Sequence, residues 1–226
     1  MVLRRVVIVA CLGAVGLGVW GCSTGPDFVA SPEPWREQEE RACLTSGTVR
    51  EKPWLVTRTA LGGPNNSSYC GALQPFEMAA ADDGRITLKP AALLRCNMIP
   101  VVESWIRDML EPEVWRHYGV PLVELKVAAS YSCRPMNNQS GARLSEHGHA
   151  NALDIAEFHL ADGRVVSVSR GWYGSPADRS FLRSVHAGAC GPFTTVLGPE
   201  QDAHHRDHFH LDLARHGKDG QGRYCK

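Results

Sequence analysis

Cysteine placement constrains this chain more than any other feature. Of its 8 cysteines, Cys43, Cys70, Cys96, Cys133, Cys190 and Cys225 are spread over the chain downstream of an apolar leader. No two of them form a CxxC pair, which argues against a cysteine zinc site. In the leader, Arg4 and Arg5 precede an uncharged run from Val6 to Trp20. As a helix that run spans about 22 Å, short of the ~30 Å hydrocarbon core, so it reads as an export signal rather than a membrane anchor. Beyond the membrane the surroundings are oxidising, and an even cysteine count there reads as disulfides. Six cysteines allow 15 pairings. The expectation is the sequential set, Cys43–Cys70, Cys96–Cys133 and Cys190–Cys225, each contributing about 2–4 kcal/mol.

The leader ends in Val19-Trp20-Gly21-Cys22, which resembles the lipobox of bacterial lipoproteins. That resemblance implies cleavage after residue 21, acylation of Cys22 and a membrane attachment through several acyl chains. Ser23 in the next position resembles the sorting pattern of outer-membrane lipoproteins, and so implies the periplasmic face of that membrane. Residues 22–42 are rich in Pro and charge and read as a tether. The remainder, 43–226, is one domain's length of chain. With 24 Lys+Arg against 24 Asp+Glu in 226 residues, there is no surplus of positive charge for phosphate binding, and nucleic acid is excluded as a partner.

Apolar residues at three- and four-residue steps predict a helix from Pro90 to about His117, with Leu93, Leu94, Met98, Val101, Val102, Trp105, Ile106 and Met109 facing the core. Residues 123–131 read as a strand. Leu153–Leu160 and Arg164–Ser169 read as a hairpin around Ala161-Asp162-Gly163. A helix is expected over Ala177–Ala189 with Phe181, Leu182 and Val185 inward, and a last strand over His208–Leu213. These elements predict a single α+β domain, its mainly antiparallel sheet flanked by helices.

Six of the ten histidines fall in two short windows: His147 and His149, then His204, His205, His208 and His210. Strand alternation puts His208, His210 and Asp212 on one face of the last strand, and Phe209, Leu211 and Leu213 on the other. Neighbouring imidazoles on one face are costly to bury without compensation, and a divalent ion is a common one. Asp154, a charge leading an apolar strand, is a plausible third ligand. Two histidines, one carboxylate and an open position make a catalytic zinc set. His149, His159, His117 and His216 lack such company and read as structural or solvent-exposed.

The pattern Ser145-x-His147-x6-Asp154, followed by His208-x-His210, resembles the LAS metallopeptidases (lysostaphin, D-Ala-D-Ala peptidases and the hedgehog N-domain). The segments Tyr131–Arg134, Asn151–Asp154, Phe181–Arg183, Val196–Pro199 and His205–Asp212, with the six cysteines, are similar to the extensin-like C-terminal domain family of bacteria. The resemblance implies a hedgehog/D,D-peptidase-like fold and Zn2+ held by His147, Asp154 and His210. It further implies Arg134 orienting a substrate carbonyl, with Ser145 contacting substrate or fixing its loop. For the general base it offers Asp207, three residues before the last ligand, or the histidines of an H-x2-H-x-H pattern, His205 and His208. Alternation favours His208, with Asp207 and His205 as alternates. Relatives usually carry Gly where this chain has Ala150, and Gly148 is expected to supply the turn instead. The implied activity is hydrolysis of peptidoglycan stem peptides or crosslinks. A non-catalytic wall-binding or scaffolding lipoprotein with structural zinc, and a periplasmic zinc store, are the competing readings.

Overall fold

A computed structural model describes residues 27–62 and 69–226. The leader and Cys22 lie outside the described residues. Nine strands form one sheet: β1 (Leu55–Thr57), β2 (Phe76–Ala81), β3 (Ile86–Leu94), β4 (Leu122–Ala129), β5 (Ala152–Leu160), β6 (Val165–Ser167), β7 (Thr195–Leu197), β8 (Phe209–Asp212) and β9 (Tyr224–Cys225). The order is β1-β2-β3-β4-β5-β8-β7-β9, with β6 paired to β5. Only β3–β4 and β7–β9 are parallel; all the other pairs are antiparallel. Helices α1 (Pro34–Ser46), α2 (Met98–Trp105), α3 (Glu111–Tyr118), α4 (Val168–Gly171) and α5 (Pro176–Ala189) complete a single α+β domain, as the sequence predicts. No helix among the described residues is long and apolar enough to cross a membrane.

The expected strand over 123–131, the hairpin at 161–163 and the helix ending at Ala189 all form within a residue or two. In α5, Ser175 caps the N-terminus by accepting from the Asp178 N–H, Pro176 occupies the first turn, and Phe181, Leu182, Val185 and Ala189 form the buried stripe. The helix packs so closely on the preceding segment that a Cβ on Gly188 would overlap the Met109 side chain.

The predicted helix from Pro90 divides differently. Residues 90–94 belong to β3, where Leu88, Ala92 and Leu94 are buried against β2 and β4. Pro90 falls in the stretch where the β2–β3 register shifts, the place in a sheet that tolerates a missing N–H. Leu93 and Leu94 therefore follow a two-residue period that a helical count misreads. The helical part starts at Met98 and widens to a π turn over Ile106–Leu110 just before Pro112. Pro112 offers no N–H to the Asp108 carbonyl and its ring crowds that oxygen, which accounts for the widened turn.

The tether expectation also needs correction from Pro34 onward, because residues 34–46 are α1. Arg36 and Glu40 are buried there, as no residue of a solvated linker would be. Two disulfides differ from the sequential expectation: the bonds are Cys43–Cys96 and Cys70–Cys133, and only Cys190–Cys225 pairs as expected. The reason is topological. Cys43 lies on α1, which docks beside the end of β3 where Arg95 reaches Glu40 and the Arg36 carbonyl. Cys70 lies beside the turn that precedes β5, where Gly71 donates to the Gly148 carbonyl. Neighbours in sequence are thus not neighbours in space.

Candidate metal centre

Alternation along two paired strands separates the core from the site. On β5, Leu153 and Ile155 join the apolar core, as Phe209 and Leu211 do on β8. Asp154 and His210 therefore take the opposite face, and they are direct cross-strand partners. His147 arrives from the 3-10 turn Glu146–His149 that leads into β5. The three side chains are buried and converge. His147 Nε2 lies 3.2 Å from His210 Nδ1 and 3.1 Å from Asp154 Oδ2, and His210 Nδ1 lies 2.8 Å from Asp154 Oδ1. Ligands of a tetrahedral ion with metal bonds of 2.0–2.1 Å stand about 3.3 Å apart, so this spacing fits one ion.

The outward-facing ring nitrogens are already engaged. The Ser130 carbonyl, just past β4, accepts from His147 Nδ1 at 2.5 Å, which leaves Nε2 with its lone pair toward the centre. Asp212 Oδ2 accepts from His210 Nε2 at 2.9 Å, and its other oxygen accepts from the Ala214 N–H. A carbonyl and a carboxylate behind ligating imidazoles fix the tautomer and the ring orientation and raise basicity. The charge balance points the same way. Burial disfavours the His210 imidazolium, but Asp154 and Asp212 outweigh it and raise the group to about 10. Burial likewise favours a neutral Asp154, yet His147 and His210 hold its carboxyl well below the usual range. Two buried carboxylates thus favour positive charge between them, which a proton on His210 supplies in the metal-free chain and a divalent ion could supply in its place.

Several contacts hold the His147 turn. Ser145 is its N-cap, its Oγ accepting from the His147 N–H at 3.3 Å, so its side chain fixes the loop. The left-handed residue is Ala150 itself, at φ +50°, not Gly148. Gly148 is needed for space: a Cβ there would sit 2.6 Å from Leu144 Cδ1 and 3.3 Å from Cys70 Sγ. Beneath the turn, the Arg36 guanidinium donates two hydrogen bonds to Glu146, at 2.7 and 2.5 Å, and Asn151 donates a third at 2.6 Å. This clamp makes α1 part of the site's foundation.

The centre opens into a cleft of about 590 Å³ that includes Arg134, Ser145, His205 and His208. His208 Nδ1 donates to Asp207 Oδ1 at 2.8 Å, and its Nε2 lies 3.6 Å from Asp154 Oδ2, facing the triad. Asp207 itself is exposed and meets the triad only through His208. His205 is held in the same way by Asp202 at 2.8 Å, its ring 5.8 Å from that of His210. Burial lowers its pKa against the pull of Asp202. Arg134 lines the cleft and donates weakly to the Pro135 carbonyl at 3.3 Å. His149 faces Glu33 and the Arg36 guanidinium instead, and burial with that charge pushes it down to about 4.

Asp212, Asp202 and the Arg36–Glu146 pair were not among the expected site residues. Asp212 was signalled by its place on the His208–His210 face; Arg36 and Glu146, 110 residues apart, carried no local signal.

Together these features define a single-domain α+β protein with a buried two-histidine, one-carboxylate centre at the floor of a cleft. The chain belongs to the family described as extensin-like protein C-terminus, whose model matches residues 41–226. Neither the curated proteins nor the solved structures contain a match.

Proposed function

We propose that the protein is a zinc-dependent peptidase acting on peptidoglycan stem peptides or crosslinks, anchored by a lipid on Cys22 to the periplasmic face of the outer membrane. One observation carries the reading: His147 Nε2, Asp154 and His210 Nδ1 face a common point with their ring nitrogens fixed from behind. The likeness of Ser145-x-His147-x6-Asp154 and His208-x-His210 to the LAS metallopeptidases supports the same assignment. A divalent ion held by these three residues would supply Lewis-acid chemistry toward an amide carbonyl and water.

The chain's own groups provide the rest. His208, held in one tautomer by Asp207, presents Nε2 as the proton acceptor and later returns that proton to the leaving amine. His205 is its alternate, braced by Asp202. Arg134 stands in the cleft to donate to the carbonyl oxygen as negative charge develops. Burial of the triad beneath the cleft keeps its hydrogen bonds in a medium of low polarity, where they act strongly.

The test is incubation of purified sacculi with the metal-loaded protein, resolving the released muropeptides, alongside elemental analysis. One zinc per chain and new muropeptides, both lost in His210→Ala, is the expected result. Bound zinc with unchanged muropeptides from several wall types would sink the peptidase and leave a zinc-containing wall-binding protein.

A further inference from the structure

The carboxylates of the cleft are all engaged. Glu33 and Glu146 bind Arg36, Asp202 binds His205, and Asp154 and Asp212 bind His210. Among its guanidiniums, Arg36 is paired in this way and Arg215 binds Glu39 while stacking on Trp35. Arg134 and Arg143 are different: no ion pair among the described residues engages either one.

These two arginines share one small structural unit. Pro135 and Leu144 form an antiparallel bridge, with Ser145 N–H donating to the Arg134 carbonyl at 3.1 Å and Met136 N–H to the Arg143 carbonyl at 2.8 Å. Alternation then puts Arg134, Met136, Arg143 and Ser145 on the same face, and all four line the cleft. Arg134 and Arg143 are diagonal neighbours on that face, a relation that in a ladder spans about 7–8 Å and lies within reach of long side chains. The segment bearing Arg143 is pinned on its other side too, by a parallel bridge to Val29. Val29 N–H donates to the Ala142 carbonyl at 2.8 Å and Leu144 N–H to the Val29 carbonyl at 2.9 Å. The support is in place before any ligand arrives.

We propose that Arg143, beside Arg134, is a specificity residue that binds a carboxylate of the substrate peptide. This inference rests on the peptidase reading and narrows it: the substrate carries the carboxylate that pairs with an arginine left without an ion pair among the described residues. Two sources share that chemistry, a free peptide C-terminus and a side-chain carboxylate within the stem. A guanidinium fork matches either one, through two parallel hydrogen bonds.

The experiment uses the metal-loaded chain and three synthetic stem pentapeptides: one with all carboxylates free, one amidated at its C-terminus only, and one amidated at its side chains only. Affinity is read as KM where a peptide is cleaved and as a calorimetric Kd where it is not. In the wild type, one of the two amidated peptides should bind about tenfold or more weakly than the free peptide, and that peptide identifies the source. Arg143→Gln should abolish this preference with kcat held within about threefold, and Arg143→Lys should restore part of it. An unchanged preference in Arg143→Gln, or no preference in the wild type, would overturn the assignment. Arg143-dependent binding without cleavage would keep this site and sink the peptidase. Cleavage indifferent to Arg143 would do the reverse, and no binding of any of the three would count against both.

Discussion

Among the described residues, two places bring three metal-type donors within 4.8 Å of one another: His147, Asp154 and His210 at the cleft floor, and His186, Cys190 and Cys225 near the C-terminus. By proximity they are equals, but their chemistry differs. At the second place the two sulfurs are bonded to each other, and the Lys226 carbonyl accepts from His186 Nε2 at 3.0 Å. The sulfurs are closed off by their bond, which staples β9 to the end of α5. At the first place each outer nitrogen is tied back, and the inner nitrogens meet the Asp154 carboxylate and one another. What separates a candidate metal site from a closed cluster is donors held facing one point and free of covalent bonds to each other, not a count of ligand-type residues.

The sharpest way to break this comparison is to cut each group in turn. His210→Ala or Asp154→Asn should reduce metal content from one ion per chain to near zero by elemental analysis, and cost any hydrolysis at least about a thousandfold. His186→Ala should leave metal content unchanged. So should Cys190→Ser with Cys225→Ser, at a stability cost of roughly 4 kcal/mol for opening this loop, read as a lower denaturation midpoint. Metal lost from the cysteine variant but retained in His210→Ala would invert the assignment.

A smaller effect is expected from the groups behind the ligands. Asp212→Asn keeps the shape but weakens the charge on His210 Nε2, and should loosen metal binding by about 10- to 100-fold in a competition titration, with the fold intact by circular dichroism. An affinity within about twofold of wild type would show that Asp212 serves the β7–β8 connection alone.

Protons offer a gentler probe of the same centre. In the metal-free chain His210 is raised above its unfolded value, so its contribution to stability is complete below about pH 6.5 and is lost as pH climbs toward about 10. Asp154 runs the other way: its contribution is present above about pH 4 and is lost on further acidification. The metal-free protein should therefore show a melting temperature that falls between pH 6.5 and 10, whereas the loaded protein, with the proton displaced, should not. Parallel curves with and without metal would mean that no ion sits between Asp154 and His210.

How far the sequence foretold this centre depends on the range of the interaction. Asp154 stood out as a charge leading an apolar strand, while the role of Asp212 behind His210 was not read. The face that His210 shares with Asp212 was legible because strand alternation is local: two residues apart means the same face. The hairpin at residues 161–163 and the buried stripe of α5 were legible for the same reason. Arg36 was not, since a charged residue in a Pro-rich stretch looks solvated until its distant partner Glu146 is known. Disulfide partners were hidden likewise, because pairing follows which segments the sheet brings together rather than their order. The misread start of the second helix has another cause: over five residues, Pro90 to Leu94, periods of 2 and 3.6 predict overlapping positions, and only the neighbouring strands decide between them.

The smallest expected effect concerns Ala150, in the left-handed region at φ +50° and fully buried at the exit of the His147 turn. An L-residue pays about 1–2 kcal/mol there, and glycine does not. Against that relief stand the extra entropy glycine loses on folding and the burial of one methyl, each up to about 1 kcal/mol. Ala150→Gly should therefore shift stability by less than about 1 kcal/mol and leave metal content at one per chain. A loss well beyond that range, with metal retained, would show that the methyl packs the turn in place. Metal lost at unchanged stability would show that the turn's rigidity, rather than its energy, holds His147 toward its partners.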